Sequence, residues 1–247
     1  DYDGKLIKEF LEEKNISSKG ILIETERKTT VKTRIIANNK HQIRIDEEET
    51  SSIKIEEDLI KLIKNIIQGI DVVILEDYNK GVLTENVIKK AIEYANKNNI
   101  PTIVDPKINN FKHYKDCTIF KPNLKEIVNG MNIDVDENSQ ESLKKATEIT
   151  RKELNTKGLL LTLSSKGICI NTGKYFQYTP AFKRDIIDVS GAGDTVVSVA
   201  AMCLTSNVEY SILAKLANLA GGIVCEDVGV VPINKRKLLS EAIKHIN

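Results

Sequence analysis

A chain of 247 residues carrying 36 lysines and arginines against 35 aspartates and glutamates is long enough to bury a full core. It is too evenly charged to select nucleic acid or a membrane surface as a partner. No apolar run approaches the ~18 residues of a membrane span, the start shows no signal-peptide pattern, and Cys117, Cys169, Cys203 and Cys225 lack any CxxC spacing. Reduced core thiols and a cytoplasmic location are therefore expected.

In chain order, "GKLIKEFLEEKNI" predicts an amphipathic helix, and "TTVKTRIIANNKHQIRIDEEE" predicts two strands joined near "ANNKH", too polar to be central. Next come a helix at "EEDLIKLIKNIIQGI", a strand at "DVVILED", a helix at "TENVIKKAIEYANKNN" and a strand at "PTIVDPK", the length of one crossover unit. A strand at "CTIFKPN", helices at "NLKEIV" and "SLKKATEITRKEL", and "GLLLTLSSKGICI" turning at "SSKG" follow. Lysines in runs such as "IKKAIEYANKNN" alternate with apolar positions and read as solvated helix faces. Strands bounded by helices predict an α/β fold with an open, mostly parallel sheet and helices on both faces, whose ligands collect at the carboxyl ends of the strands.

Polar residues gather at those ends. Asp77 and Lys80 follow one strand, Asp105 and Lys107 the next, Asn123 and Glu126 a third, and "TLSSKG" and "DVSGAGDT" complete the row. In the last motif the glycines stand where a loop becomes the helix "TVVSVAAMCLTSN", so unpaired amides and the positive end of the helix dipole face an incoming anion. A carboxylate at Asp194 would repel a phosphate there unless it has a task, and removing a proton from an attacking hydroxyl is such a task. Each residue alone also has a structural explanation: Asp77 and Asp105 as turn caps, Lys80 as a solvated cation, Asn123 and Glu126 as a capping box.

Taken in order, "DPK", the Asn-x-x-Glu of "NLKE", "TLSSKG" and "DVSGAGDT" resemble the ribokinase-like carbohydrate kinases, the PfkB family, along the whole chain. The strings "LEDYNKGVLT" and "IVDPKINNFKHYKDCTIFKPNLKE" are most similar to the D-glycero-β-D-manno-heptose-7-phosphate kinases within it. The resemblance implies a ribokinase-like domain over residues 1–247 with a small β lid at about 29–49. It implies ATP and Mg²⁺, with Asp194 as general base, Gly191, Ala192 and Gly193 as the anion hole, and Asn123 and Glu126 organising the metal, mostly through water. Thr162, Ser164 and Gly167 match the nucleotide loop and Asn218 the adenine side. A phosphorylated substrate needs cations, for which Lys80 and Lys107 are the leading candidates, with Asp77 beside them. Lys32 and Arg34 serve either the substrate or the polar face of a lid strand. Asp188 supports a monovalent cation loop for K⁺ or caps its turn.

The family ordinarily opens with a strand ending near Gly-Asp and then a Gly-Gly-Ala-Asn segment, whereas this chain begins "DYDGKLIKEF", so an incomplete sugar site is expected. No HxGH motif follows "KRKLLSEAIKHIN", and a fused nucleotidyltransferase is not expected. The expected activity is ATP-dependent phosphorylation of the heptose 7-phosphate to its 1,7-bisphosphate, by a protein that dimerises through its completed lid. A ribokinase- or fructokinase-type enzyme and a non-catalytic nucleotide- or sugar-binding accessory subunit are the alternatives.

Overall fold

The computed structural model describes residues 1–37 and 40–246. Helix α1 (Tyr2–Glu13) starts at Asp1, whose carboxylate accepts from the Gly4 amide at 2.9 Å and from the Thr29 amide at 2.7 Å. Strands β1 (Val31–Ala37) and β2 (Lys40–Glu47) pair antiparallel as a separate ribbon. Part of the turn expected at "ANNKH" lies outside the described residues. Register places Ile35 opposite Ile43 and Thr33 opposite Ile45 on one face, and Lys32 opposite Asp46 and Arg34 opposite Arg44 on the other. No described side chain of the ribbon is buried. A two-stranded ribbon owes little stability to itself.

The remaining strands form one six-stranded sheet: β3 (Val73–Glu76), β4 (Thr102–Asp105), β5 (Ile119–Phe120), β6 (Gly158–Thr162), β7 (Gly167–Asn171) and β8 (Phe176–Pro180). Their order in the sheet is their order in the chain. The first four run parallel, and β7 and β8 are added antiparallel. Thus the mostly parallel sheet foreseen from the sequence is present, as is the reversal at "SSKG". Strand β8, which "FQYTP" did not announce, extends it. Gly167 makes that extension possible, because its φ of +107° suits glycine and a Cβ there would sit 2.2 Å from the Thr179 carbonyl.

Helices cover both faces, as alternation along the strands requires. Val104, Phe120, Leu159, Leu161 and Cys169 point to one side, with Ile88 of α3 (Glu85–Lys97), Ile127 of α4 (Leu124–Met131) and Leu143 of α5 (Gln140–Glu153). Ile103, Ile119, Leu160, Ile168 and Ile170 point to the other, against α6 (Ala192–Thr205) and α7 (Tyr210–Val224). Helix α2 (Glu56–Ile66) precedes β3 and α8 (Lys235–His245) closes the chain. All four cysteines are free and buried, as the sequence predicts. No helix among the described residues is long and apolar enough to cross a membrane.

Candidate active site

The carboxyl ends of β3 to β6 lie along one edge, and the N-terminus of α6 comes up to it. There Gly193 stands close enough to β4 that a Cβ on it would lie 3.6 Å from an Asp105 oxygen and 3.9 Å from Lys121 Nζ. Gly191 enters the helix at φ +79° and no side chain caps it, so the first turn is left open to an anion. The Ala192 amide is less available than expected, since it donates to the Val189 carbonyl at 3.3 Å.

Two clefts open along this edge. One, of about 1070 Å³, is lined by Asn123, Glu126, Thr162, Ser164, Gly167, Asn218 and the α6 turn from Ala192 to Asp194, and so gathers most of the residues predicted for the nucleotide, together with Lys107, which was expected on the substrate side. The other, of about 610 Å³, is lined by Thr30, Lys32, Glu76, Asp77, Tyr78 and Lys80. Arg34 is not among the residues lining either cleft. Lys32 and Arg34 share the polar face of the ribbon, and only Lys32 reaches the second cleft.

Asn123 and Glu126 form the capping box that the sequence allows. The Asn123 side chain accepts from the Glu126 amide at 2.9 Å, and Glu126 Oε2 accepts from the Asn123 amide at 2.8 Å. Glu126 Oε1 meets Lys107 Nζ at 3.2 Å. Burial alone would lower the Lys107 ammonium, but the Asp105 and Glu126 carboxylates outweigh it and hold it above the ordinary lysine value. Thr162 is brought beside Asn123 by a parallel bridge that prolongs the β5–β6 pairing. The Asn218 amide donates to the Pro180 carbonyl at 2.8 Å.

Two predicted residues are engaged inside the protein. Asp77, 2 % exposed, accepts from the Asn79 amide at 2.7 Å, Asn110 at 3.0 Å and the Tyr114 hydroxyl at 2.7 Å, which makes it the anchor of its loop rather than an open substrate contact. Asp188 accepts from the amides of Ser190 at 2.9 Å and Gly229 at 3.0 Å, the turn-capping alternative. Lys80, which lines the smaller cleft, pairs with Glu48 at 2.5 Å.

Three residues of the site escaped sequence reasoning. Glu76 ends β3, and its carboxylate lies within 4.8 Å of those of Asp105 and Asp194 where the two clefts adjoin. Burial, then the charge of Asp105, push the Glu76 carboxyl up to about 8. Lys121, almost wholly buried, pairs with Asp105 at 3.1 Å. Tyr78 stands beside Asp194, and burial followed by the Asp194 charge raises its phenol to about 12. The signal for both Glu76 and Lys121 was a charge set directly at the end of an apolar strand, in "VILED" and "TIFKP".

The family model of the pfkB family carbohydrate kinases matches residues 1–236. The chain is 36% identical over 234 residues to the bifunctional protein HldE of Campylobacter jejuni subsp. doylei, covering 95% of this chain and 49% of that protein. It is 35% identical over 250 residues to the bifunctional protein HldE of Syntrophotalea carbinolica, covering 99% and 50%. The chain thus spans about half the length of these curated relatives. Among solved structures, phosphofructokinase-2 of Escherichia coli in complex with potassium superposes with a TM-score of 0.83 at 15% identity, over 99% of this chain and 79% of that one. A ribokinase of Thermotoga maritima gives 0.73 at 19% identity, over 99% and 78%. The fold is therefore ribokinase-like.

Proposed function

The chain belongs to the pfkB family of carbohydrate kinases, and from that premise we propose that it transfers the γ-phosphoryl group of ATP to a sugar hydroxyl. The acceptor we propose is D-glycero-D-manno-heptose 7-phosphate, giving the 1,7-bisphosphate. The observation that carries the reading is the position of Asp194 in the first turn of α6, at the junction of a nucleotide-sized cleft and a smaller one edged by lysines. Phosphoryl transfer needs alignment, a proton acceptor and charge compensation, and these are the properties of that junction.

In this reading Asp194 takes the proton of the attacking hydroxyl and the first-turn amides of α6 face the phosphates. Lys32 and Lys80 receive the phosphate already on the sugar, with Glu48 released from Lys80. The cleft suits Mg²⁺ held through water, because both Glu126 oxygens already have protein partners and magnesium keeps several waters. When bound, the ion supplies charge neutralisation on the phosphates. The heptose acceptor rests on the resemblance carried by "LEDYNKGVLT" and "IVDPKINNF", which the likeness to the HldE proteins supports. The isoleucine face of the β1–β2 ribbon, with Ile35 45% and Ile43 54% exposed, supports a homodimer joined through the lid.

A coupled assay of ADP release from ATP over a panel of sugars and sugar phosphates tests the reading. Release is expected with the heptose 7-phosphate above ribose, fructose and fructose 6-phosphate. No release with any sugar overturns the kinase reading, and preference for ribose or fructose overturns the heptose acceptor.

A further inference from the structure

Glu76, Asp105 and Asp194 crowd three carboxylates within 4.8 Å of one another, and the ammonium paired with the group is that of Lys121, 3.1 Å from Asp105. Like charges so close do not all ionise together, and carboxylate groups of this kind settle by retaining a proton. The question is which member keeps it. Asp194 is the exposed one, Asp105 is the one in contact with Lys121, and Glu76 is half-buried and makes no ion pair among the described residues.

Building on the kinase reading, we propose that Glu76 is a positioning residue for phosphoryl transfer, holding a proton that it donates to Asp105 and so leaving Asp194 as the acceptor for the sugar hydroxyl. Burial and the Asp105 charge favour the neutral Glu76, and Lys121 does not offset them. The other groups facing the cluster are Lys107 from the segment after β4 and Tyr78 from the loop after β3. Lys32 and Lys80 line the same cleft as Glu76. During transfer the sugar O–H proton passes to Asp194, the oxygen lone pair forms the new O–P bond, and the bond from the γ-phosphorus to the β–γ bridging oxygen breaks, its electrons leaving with ADP. Glu76 neither gains nor loses a proton. Ionised, it would set one more negative charge against the incoming phosphoryl group and compete with Asp105 for Lys121.

Thermal melts of the wild-type chain and of Glu76→Gln across pH locate the proton without any substrate. A glutamate that keeps its proton when folded and loses it when unfolded makes stability fall as pH rises from the ordinary value of 4.5 to about 8, and adds no slope above that. Glutamine has no such proton. The melting temperature of Glu76→Gln minus that of the wild type should therefore climb through this window and level off beyond it, and parallel pH profiles overturn the proposal. Should the variant fail to fold, infrared titration of the wild type serves instead: a protonated carboxyl persisting at neutral pH and lost near about 8 is expected, and its absence at neutral pH overturns the proposal.

Kinetics tests the link to catalysis. The wild-type kcat should decline as pH passes about 8 and Glu76→Gln should flatten that decline, while Glu76→Ala lowers kcat by about tenfold or more with little change in the KM for ATP. A decline that stays in place in Glu76→Gln overturns the link. If no form phosphorylates any sugar, the kinase reading has failed, and the melts still decide where the proton sits.

Discussion

The two clefts are built in different ways. Around the larger one, side chains are tied to nearby backbone or to buried partners: Asn123 and Glu126 cap each other three residues apart, Gly191 turns the chain into α6, and Lys121 is sealed against Asp105. The smaller cleft is held across long stretches of chain. Arg27 donates to the carbonyls of Glu49 at 3.1 Å, Ser51 at 2.7 Å and Lys80 at 2.6 Å, and so binds both stems of the ribbon to the loop after β3. The ion pair of Lys80, a lining residue of this cleft, with Glu48 is partly exposed. The larger cleft is thus preorganised, whereas the smaller can rearrange at low cost around a ligand.

Mutations can break this contrast, and the largest effect belongs to the junction. Asp194→Asn keeps the shape but cannot accept a proton, so the rate of ADP release should fall by about 10²–10⁴-fold while nucleotide binding, measured by calorimetry, persists. Lys121→Met leaves Asp105 buried without its cation and should cost about 3–5 kcal/mol in denaturant unfolding. Adding Asp105→Asn to it should restore part of that loss, because the double change removes the unpaired charge.

Smaller effects sharpen the contrast. Glutamine can still close a capping box, so Glu126→Gln should change stability by less than about 1 kcal/mol, yet raise the Mg²⁺ needed for half-maximal activity. A large stability loss with an unaltered magnesium titration would leave Glu126 a cap alone. Smallest of all, Glu48→Gln frees Lys80 from a partly exposed ion pair and should cost under about 1 kcal/mol. It should also lower the KM for a phosphorylated sugar and leave the KM for ATP in place, which steady-state kinetics reads directly.

The same contrast explains what could be read before the fold was known. Asn123 and Glu126, or the glycines before α6, carry their meaning within a few neighbouring residues, and local spacing exposes it. The crossover units followed from apolar runs such as "TIVD" and "GLLLT", which are buried on both faces. Glu76 and Lys121 show in the sequence only as charges at strand ends, because their partners arrive from neighbouring elements and no spacing encodes the distance from one strand end to the next. Asp77 was placed toward substrate for the same reason, since Tyr114 and Asn110, which claim its oxygens, come from a distant loop. Strand β8 went unseen because a short half-polar segment becomes a strand only when β7 offers an edge.

Because each strand from β3 to β8 pairs with the one that follows it in the chain, the sheet can grow in the direction of synthesis, without waiting for a late strand to insert between earlier ones. Its second face has no such luxury. Ile103, Ile119, Leu160, Ile168 and Ile170 are all made before α6 and α7, the helices that cover them. A nascent chain halted between β8 and α6 would therefore display a broad apolar sheet surface, the interval in which it most needs a chaperone.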